Sequence, residues 1–214
     1  MLSTFLTIVA VLLATSADAR PPRPERNEAL QVVEAVWKAQ TLHFVYQGYA
    51  TIYSCGALRT KLQQILEGLG ARDTLKINMW GCGDLAGGGR IQIDMESPVE
   101  ATPENIQALA TYDSRDVLIA RVREERLAAA EDIQRFPATW KTISFTRDKT
   151  MKLGPADCEL VEQLRRSVLP AMSIRVDYER LHCSVAFGNV GQPQLRVTAL
   201  VPVRDNAVEA VTAR

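Results

Sequence analysis

The sequence predicts an α+β fold built from two strand-helix-strand-strand units, and three observations carry that prediction. Cysteines open and close two stretches, CGALRTKLQQILEGLGARDTLKINMWGC and CELVEQLRRSVLPAMSIRVDYERLHC. In both, apolar residues at offsets 3, 10, 11 and 14 from the first cysteine share a helical face and then give way to strand alternation. A further alternating strand follows each closing cysteine, RIQIDMESPV in one case and QLRVTALVPV in the other, and both end in Pro-Val. An internal repeat of this kind reorganises the reading of the whole chain.

Residues 1–19, MLSTFLTIVAVLLATSADA, read as a secretory signal peptide. Phe5 to Leu13 form a short apolar run and Ala17-Asp18-Ala19 supplies a small-x-small cleavage site, although no Lys or Arg precedes the run. The run falls short of the ~20 apolar residues that a membrane span needs. The expectation is a mature chain starting at Arg20, periplasmic or secreted, with no transmembrane segment after cleavage. Residues 20–30 are proline-rich and charged, a disordered leader.

Unit A covers residues 41–100. Its entry strand is LHFVY, Leu42 to Tyr46. From Cys55 a helix places Leu58, Ile65, Leu66 and Leu69 on one face. Leu75, Ile77 and Met79 then alternate as a strand, and Ile91, Ile93 and Met95 as another. Residues 101–139 form a helical connector. Thr102-Pro103-Glu104 is an N-cap followed by proline and an acidic first turn, for a short helix through Ala110. Asp113 caps a second helix expected to reach about Phe136, with Leu118, Val122, Ala129, Ile133 and Phe136 packing on a shared sheet. Unit B, residues 140–203, repeats the plan: TISF, a helix presenting Val161, Val168, Leu169 and Met172, then Ile174, Val176 and Tyr178, then Leu195, Val197 and Ala199. Residues 204–214 are a C-terminal tail. The rival partition takes residues 41–146 as a ferredoxin-like core, with one helix and two strands appended.

An even set of four cysteines in an exported chain suits disulfides but permits three pairings. The repeat selects Cys55–Cys82 and Cys158–Cys183. A helix from Cys55 to Leu69 rises about 21 Å and a strand from Thr74 to Cys82 returns about 26 Å, which brings Cys82 beside the helix start. In the second unit the return overshoots unless Arg180-Leu181-His182 bends. A cysteine at a helix N-terminus can become a reactive thiolate, but here the disulfide claims Cys55.

The charges balance, 25 basic against 25 acidic residues, so bulk charge points to neither nucleic acid nor an anionic membrane. The loop Gly81 to Arg90, GCGDLAGGGR, has strands on both sides and reads as a hairpin, since a phosphate loop feeds a helix. His182 adjoins Cys183, but neighbouring strand residues point to opposite faces. His43 stands alone, and two histidines without a partner at ligand spacing predict no metal site. No cofactor is expected. Asp94 and Glu96 share a strand face and are the candidate acid–base pair, although a solvated strand shows the same pattern. Tyr46, Tyr49 and Tyr53 are the candidate binding surface, set against the reading that at least two of them fill the core.

The pattern Trp37-x-x-Gln40-x-Leu42-x-Phe44-x-Tyr46-x-Gly48, leading to Tyr53-Ser54-Cys55, resembles uncharacterised exported proteobacterial proteins with a Y-x-G…Y-S-C motif. The resemblance implies export and a cysteine-bearing repeat, and it brings no activity or catalytic residues with it. The functional expectation is a non-catalytic binding or structural protein whose partner is a protein or an envelope component. The competing class is a cofactor-independent extracellular hydrolase using Asp94 and Glu96.

Overall fold

The computed structural model describes residues 31–49, 51–81, 88–183 and 192–203. The expected signal peptide, leader and tail, Cys82, and most of the glycine-rich loop lie outside the described residues. The elements in order are β1 (Val32–Gln47), α1 (Cys55–Gly68), β2 (Lys76–Trp80), β3 (Gly88–Glu100), α2 (Pro103–Leu109) and α3 (Ser114–Arg123). They are followed by β4 (Arg135–Ser144), α4 (Cys158–Ser167), β5 (Ile174–Arg180) and β6 (Gln194–Pro202). All six strands form one antiparallel sheet in the order β2-β3-β1-β4-β6-β5.

Helix α1 starts where Ser54 accepts a hydrogen bond from the Ala57 amide, and its apolar face, Leu58, Leu62, Ile65 and Leu66, is buried. Helix α4 buries Leu160, Val161 and Leu164. Both faces join strand residues Phe44, Ile91, Ile93, Ile143, Leu195 and Val197 in one core cluster. Leu69, Val168, Leu169 and Met172 are buried too, at the offsets where the helical faces were expected to end. The sheet curls: β3 and β6 are not neighbours in it, yet they approach each other. Gly70, in the turn just past α1, has φ +97°, and a Cβ there would lie 2.6 Å from the Leu200 carbonyl oxygen. A second, small cluster of Ala35, Ala138 and Leu200, with Val33, Phe136 and Trp140, sits apart from the main core.

Several expectations need correction. Strand β1 starts at Val32, not at Leu42. Its first half sits between β3 and β4, so Ala35 and Val36 are both buried and the alternation that marks a half-exposed strand is lost. The second connector helix ends at Arg123 instead of reaching Phe136, because Glu124 turns left-handed at φ 56°. Phe136 belongs to β4 and stacks on Trp37 with ring centroids 4.5 Å apart. The connector does not pack its apolar face on the sheet: Leu118 is 59% exposed and Val122 77%, and Ala120 is the buried residue of α3. Val176 and Tyr178 are largely exposed as well, because β5 is an edge strand with a bulge between them.

Cys158 and Cys183 form a disulfide with Cα atoms 5.4 Å apart. The strand stops at Arg180, and Leu181 to Cys183 leave it, which removes the overshoot. Cys55 is also disulfide-bonded, while its expected partner Cys82 lies outside the described residues. Among the described residues, no helix is long and apolar enough to cross a membrane.

Candidate functional site

The tyrosine group splits. Tyr46 and Tyr53 are buried and meet edge to face with centroids 5.6 Å apart, which corrects the expectation of a three-tyrosine exposed surface. Tyr46 donates to the Thr51 carbonyl at 2.8 Å, and Tyr53 donates to Asp157 Oδ1 at 2.6 Å. Burial, followed by the negative charges of Glu159 and Asp157, holds the Tyr46 phenol far above its ordinary pKa. Burial, followed by the hydrogen bond to Asp157, does the same to Tyr53. Both are therefore protonated donors in the folded protein, and neither is available to a partner. Tyr49 is 83% exposed.

Helix α4 fixes the segment that carries Tyr49. Glu159 Oε2 accepts hydrogen bonds from the Tyr49 amide at 3.0 Å and the Thr51 amide at 3.3 Å. One turn further on, Gln163 bonds Gln47 at both ends of its residue: the Gln47 amide donates to Oε1 at 2.9 Å, and Nε2 donates to the Gln47 carbonyl at 2.6 Å. Beside these contacts lies an open cleft of about 890 Å³. Val45, Gln47 and Tyr49 form one wall, Glu162 and Arg166 another, and Leu181 and His182 close it next to the disulfide. Glu162 is ion-paired to Arg166 one turn along the helix.

The cleft abuts an open strand edge. The Gln47 amide and carbonyl face α4 and so point away from β3. Main-chain groups alternate sides along a strand, so those of Val45, His43, Thr41 and Ala39 point the same way. The Glu34 carbonyl, of the other parity, accepts from Ala101 just beyond β3. Pro98, opposite Trp37, is tolerated because that pair exchanges no bonds. On this edge β4 pairs only from Val32 to Val36. Among the described residues, nothing bonds the amides and carbonyls of Ala39, Thr41, His43 and Val45 there.

The candidate acid–base pair lies elsewhere. Asp94 accepts from Thr41 Oγ1 at 2.8 Å and from Gln92 Nε2 at 3.0 Å, and Glu96 pairs with Arg72 at 2.7 Å. Both carboxylates sit on the open strand surface of β3 and neither lines the cleft. His43 is exposed on β1, and His182 lines the cleft beside an oxidised Cys183. No group of metal-ligating side chains occurs among the described residues. The hairpin reading of the glycine-rich loop agrees with the antiparallel pairing of β2 and β3 on either side of it.

Glu159, Gln163 and Arg166 were not singled out by the sequence. Their one local trace is the polar stripe of α4 opposite Leu160, Val161 and Leu164, and such a stripe ordinarily means a solvated face. No protein-family model, no curated protein and no solved structure matches the chain. The fold and site therefore define the class on their own: a curved α+β sheet domain with a polar cleft at an open strand edge.

Proposed function

We propose that this is an exported, non-catalytic binding protein whose recognition site is the cleft rimmed by Tyr49. The carrying observation is that ring. It stands in solvent at the mouth of a cleft, on a backbone anchored by Glu159 and flanked by the Gln47–Gln163 pair. An aromatic residue exposed on a fixed backbone makes contacts at little cost in conformational entropy. The hydrolase reading has no comparable support, since Asp94 and Glu96 are occupied by Thr41, Gln92 and Arg72 away from the cleft.

Export rests on the N-terminal segment, and the cystines fit an oxidising compartment. Two observations support the two-unit architecture. The sheet reads the same from either end, β2-β3-β1 facing β5-β6-β4, and α1 and α4 each begin at a disulfide-bonded cysteine and bury a face in the same core. In a ferredoxin-like core the second helix would cover the sheet, whereas α2 and α3 bury almost nothing.

The test is affinity capture of envelope components by the native protein and by Tyr49→Ser, with Tyr46→Phe as the buried control. Captured material should fall with Tyr49→Ser and persist with Tyr46→Phe. Equal capture by all three, together with substrate turnover lost in Asp94→Asn, would reverse the assignment in favour of the hydrolase.

A further inference from the structure

The geometry points to an extended polypeptide segment as the ligand, added as a strand to the open edge of β1 between Ala39 and Val45. This names the ligand class of the cleft and rests on the binding reading above. In the lane beside β1, β4 begins at Arg135, opposite Val36. At the far end the lane is stopped by Gln163, whose amide takes the place of a strand residue beside Gln47. Between these stops, from Trp37 to Val45, the vacant lane is about 30 Å long at 3.3 Å per residue.

The chemistry of the edge selects the occupant. A donor and an acceptor recur together at every second residue, about 6.6 Å apart. A chain in β conformation carries the same pair at the same repeat, which is the basis of strand addition to sheet edges. Sugars and acyl chains have no such period. A second copy of this protein does not fit, because β1 runs from Val32 to Gln47 and overfills the lane. Antiparallel pairing centred on Thr41 would drive its Ala35 and Val36 into Gln163 and its Tyr46 and Gln47 into Arg135 and Phe136. One short segment is accommodated.

Side chains next to the lane add a preference. Ala39, Thr41, His43 and Val45 share the sheet face on which Arg90 stands opposite Val45. Thr41 is spent on Asp94, and neither His43 nor Arg90 has an acidic partner among the described residues. The favoured strand carries a carboxylate near His43 and small apolar residues at its ends, against Ala39 and Val45.

The probe is a labelled synthetic nonapeptide alternating valine and threonine with a glutamate at its third residue, which antiparallel pairing with Trp37 to Val45 places opposite His43, titrated into the full mature chain. Two further versions are N-methylated at alternate residues, one on each parity. Only one parity faces β1, so one version should bind like the parent and the other at least about thirtyfold more weakly, the smallest loss expected from removing the four amides that face Ala39, Thr41, His43 and Val45. Replacing that glutamate by lysine should also weaken binding. In the protein, Ala39→Pro removes an amide from the open edge and leaves the β3 ladder whole, so peptide affinity should fall about tenfold with the melting temperature kept. Gln40→Pro removes a ladder amide instead and should lower the melting temperature. Equal binding of the two N-methylated peptides, or full binding by Ala39→Pro, would sink strand addition. So would failure of the parent peptide to bind while envelope capture remains Tyr49-dependent, an outcome that leaves the binding reading standing. Binding seen only after deletion of residues 204–214 would overturn it too, by making the chain's own tail the occupant.

Discussion

Asp157 shows how completely one buried side chain can be committed. Its Oδ1 accepts from Tyr53 at 2.6 Å, and its Oδ2 takes the Gly154 amide at 2.7 Å and the Lys61 ammonium at 3.1 Å. Tyr53→Phe leaves that carboxylate short of a donor in a buried place and should destabilise the fold by about 1–3 kcal/mol in urea titrations. The tyrosines also set a limit at alkaline pH. Their folded pKa values lie above the ordinary 10.0, so the folded state favours the protonated form. The resulting stability is complete below about pH 10 and falls as pH climbs past it, because the unfolded tyrosines ionise first. Phenolate absorbance from Tyr46 and Tyr53 should therefore appear together with the loss of helical circular dichroism, not before it. Cys55 at the helix start was legible as half of a disulfide from an even set of four cysteines. That at least two of the three tyrosines fill the core was legible too; which two was not, because an amphipathic ring suits surface and core equally until its hydroxyl partner is known, and the partner of Tyr53 lies 104 residues away.

At the scale of elements, legibility followed the number of faces that each element buries. Helices α1 and α4 bury one face, and their core residues could be named from spacing. The first half of β1 is buried more evenly, so Val33, Ala35 and Val36 gave no alternation and the strand was placed too late. Helix α3 misled in the opposite direction. Its apolar spacing suggested a packed face, yet the chain turns away at Glu124 before that face could be covered. Exchanging Leu118 and Val122 together for glutamine should accordingly change the unfolding free energy by no more than about 0.5 kcal/mol, the usual range for surface positions. A larger loss in chemical denaturation would restore the packed connector.

For the molecule as a whole, a shared sheet was open to reasoning, but its strand order and the cleft were not. The cleft depends on Gln163 reaching Gln47, 116 residues away in the chain, and nothing local announces that meeting. The two halves share one core cluster even though the β1–β4 ladder between them runs only from Val32 to Val36. Unfolding should therefore be a single transition, with tryptophan fluorescence and far-ultraviolet circular dichroism giving the same midpoint. Two separated midpoints would mean that the halves are independent domains.

The short ladder has one more consequence. Val32 lies opposite Thr139, and Thr139 lies opposite Val201 on its other side, so the first and last strands reach the same row of the sheet. Two strand spacings, roughly 10 Å, separate them. The path from Val32 to Pro202 is thus nearly a closed ring, and where it is cut matters little to the core. A circular permutant joining Pro202 to Val32 through a short glycine linker, and opened between α2 and α3, should fold to the same disulfide-bonded species. If it does, Val32 and Pro202 are points on a loop.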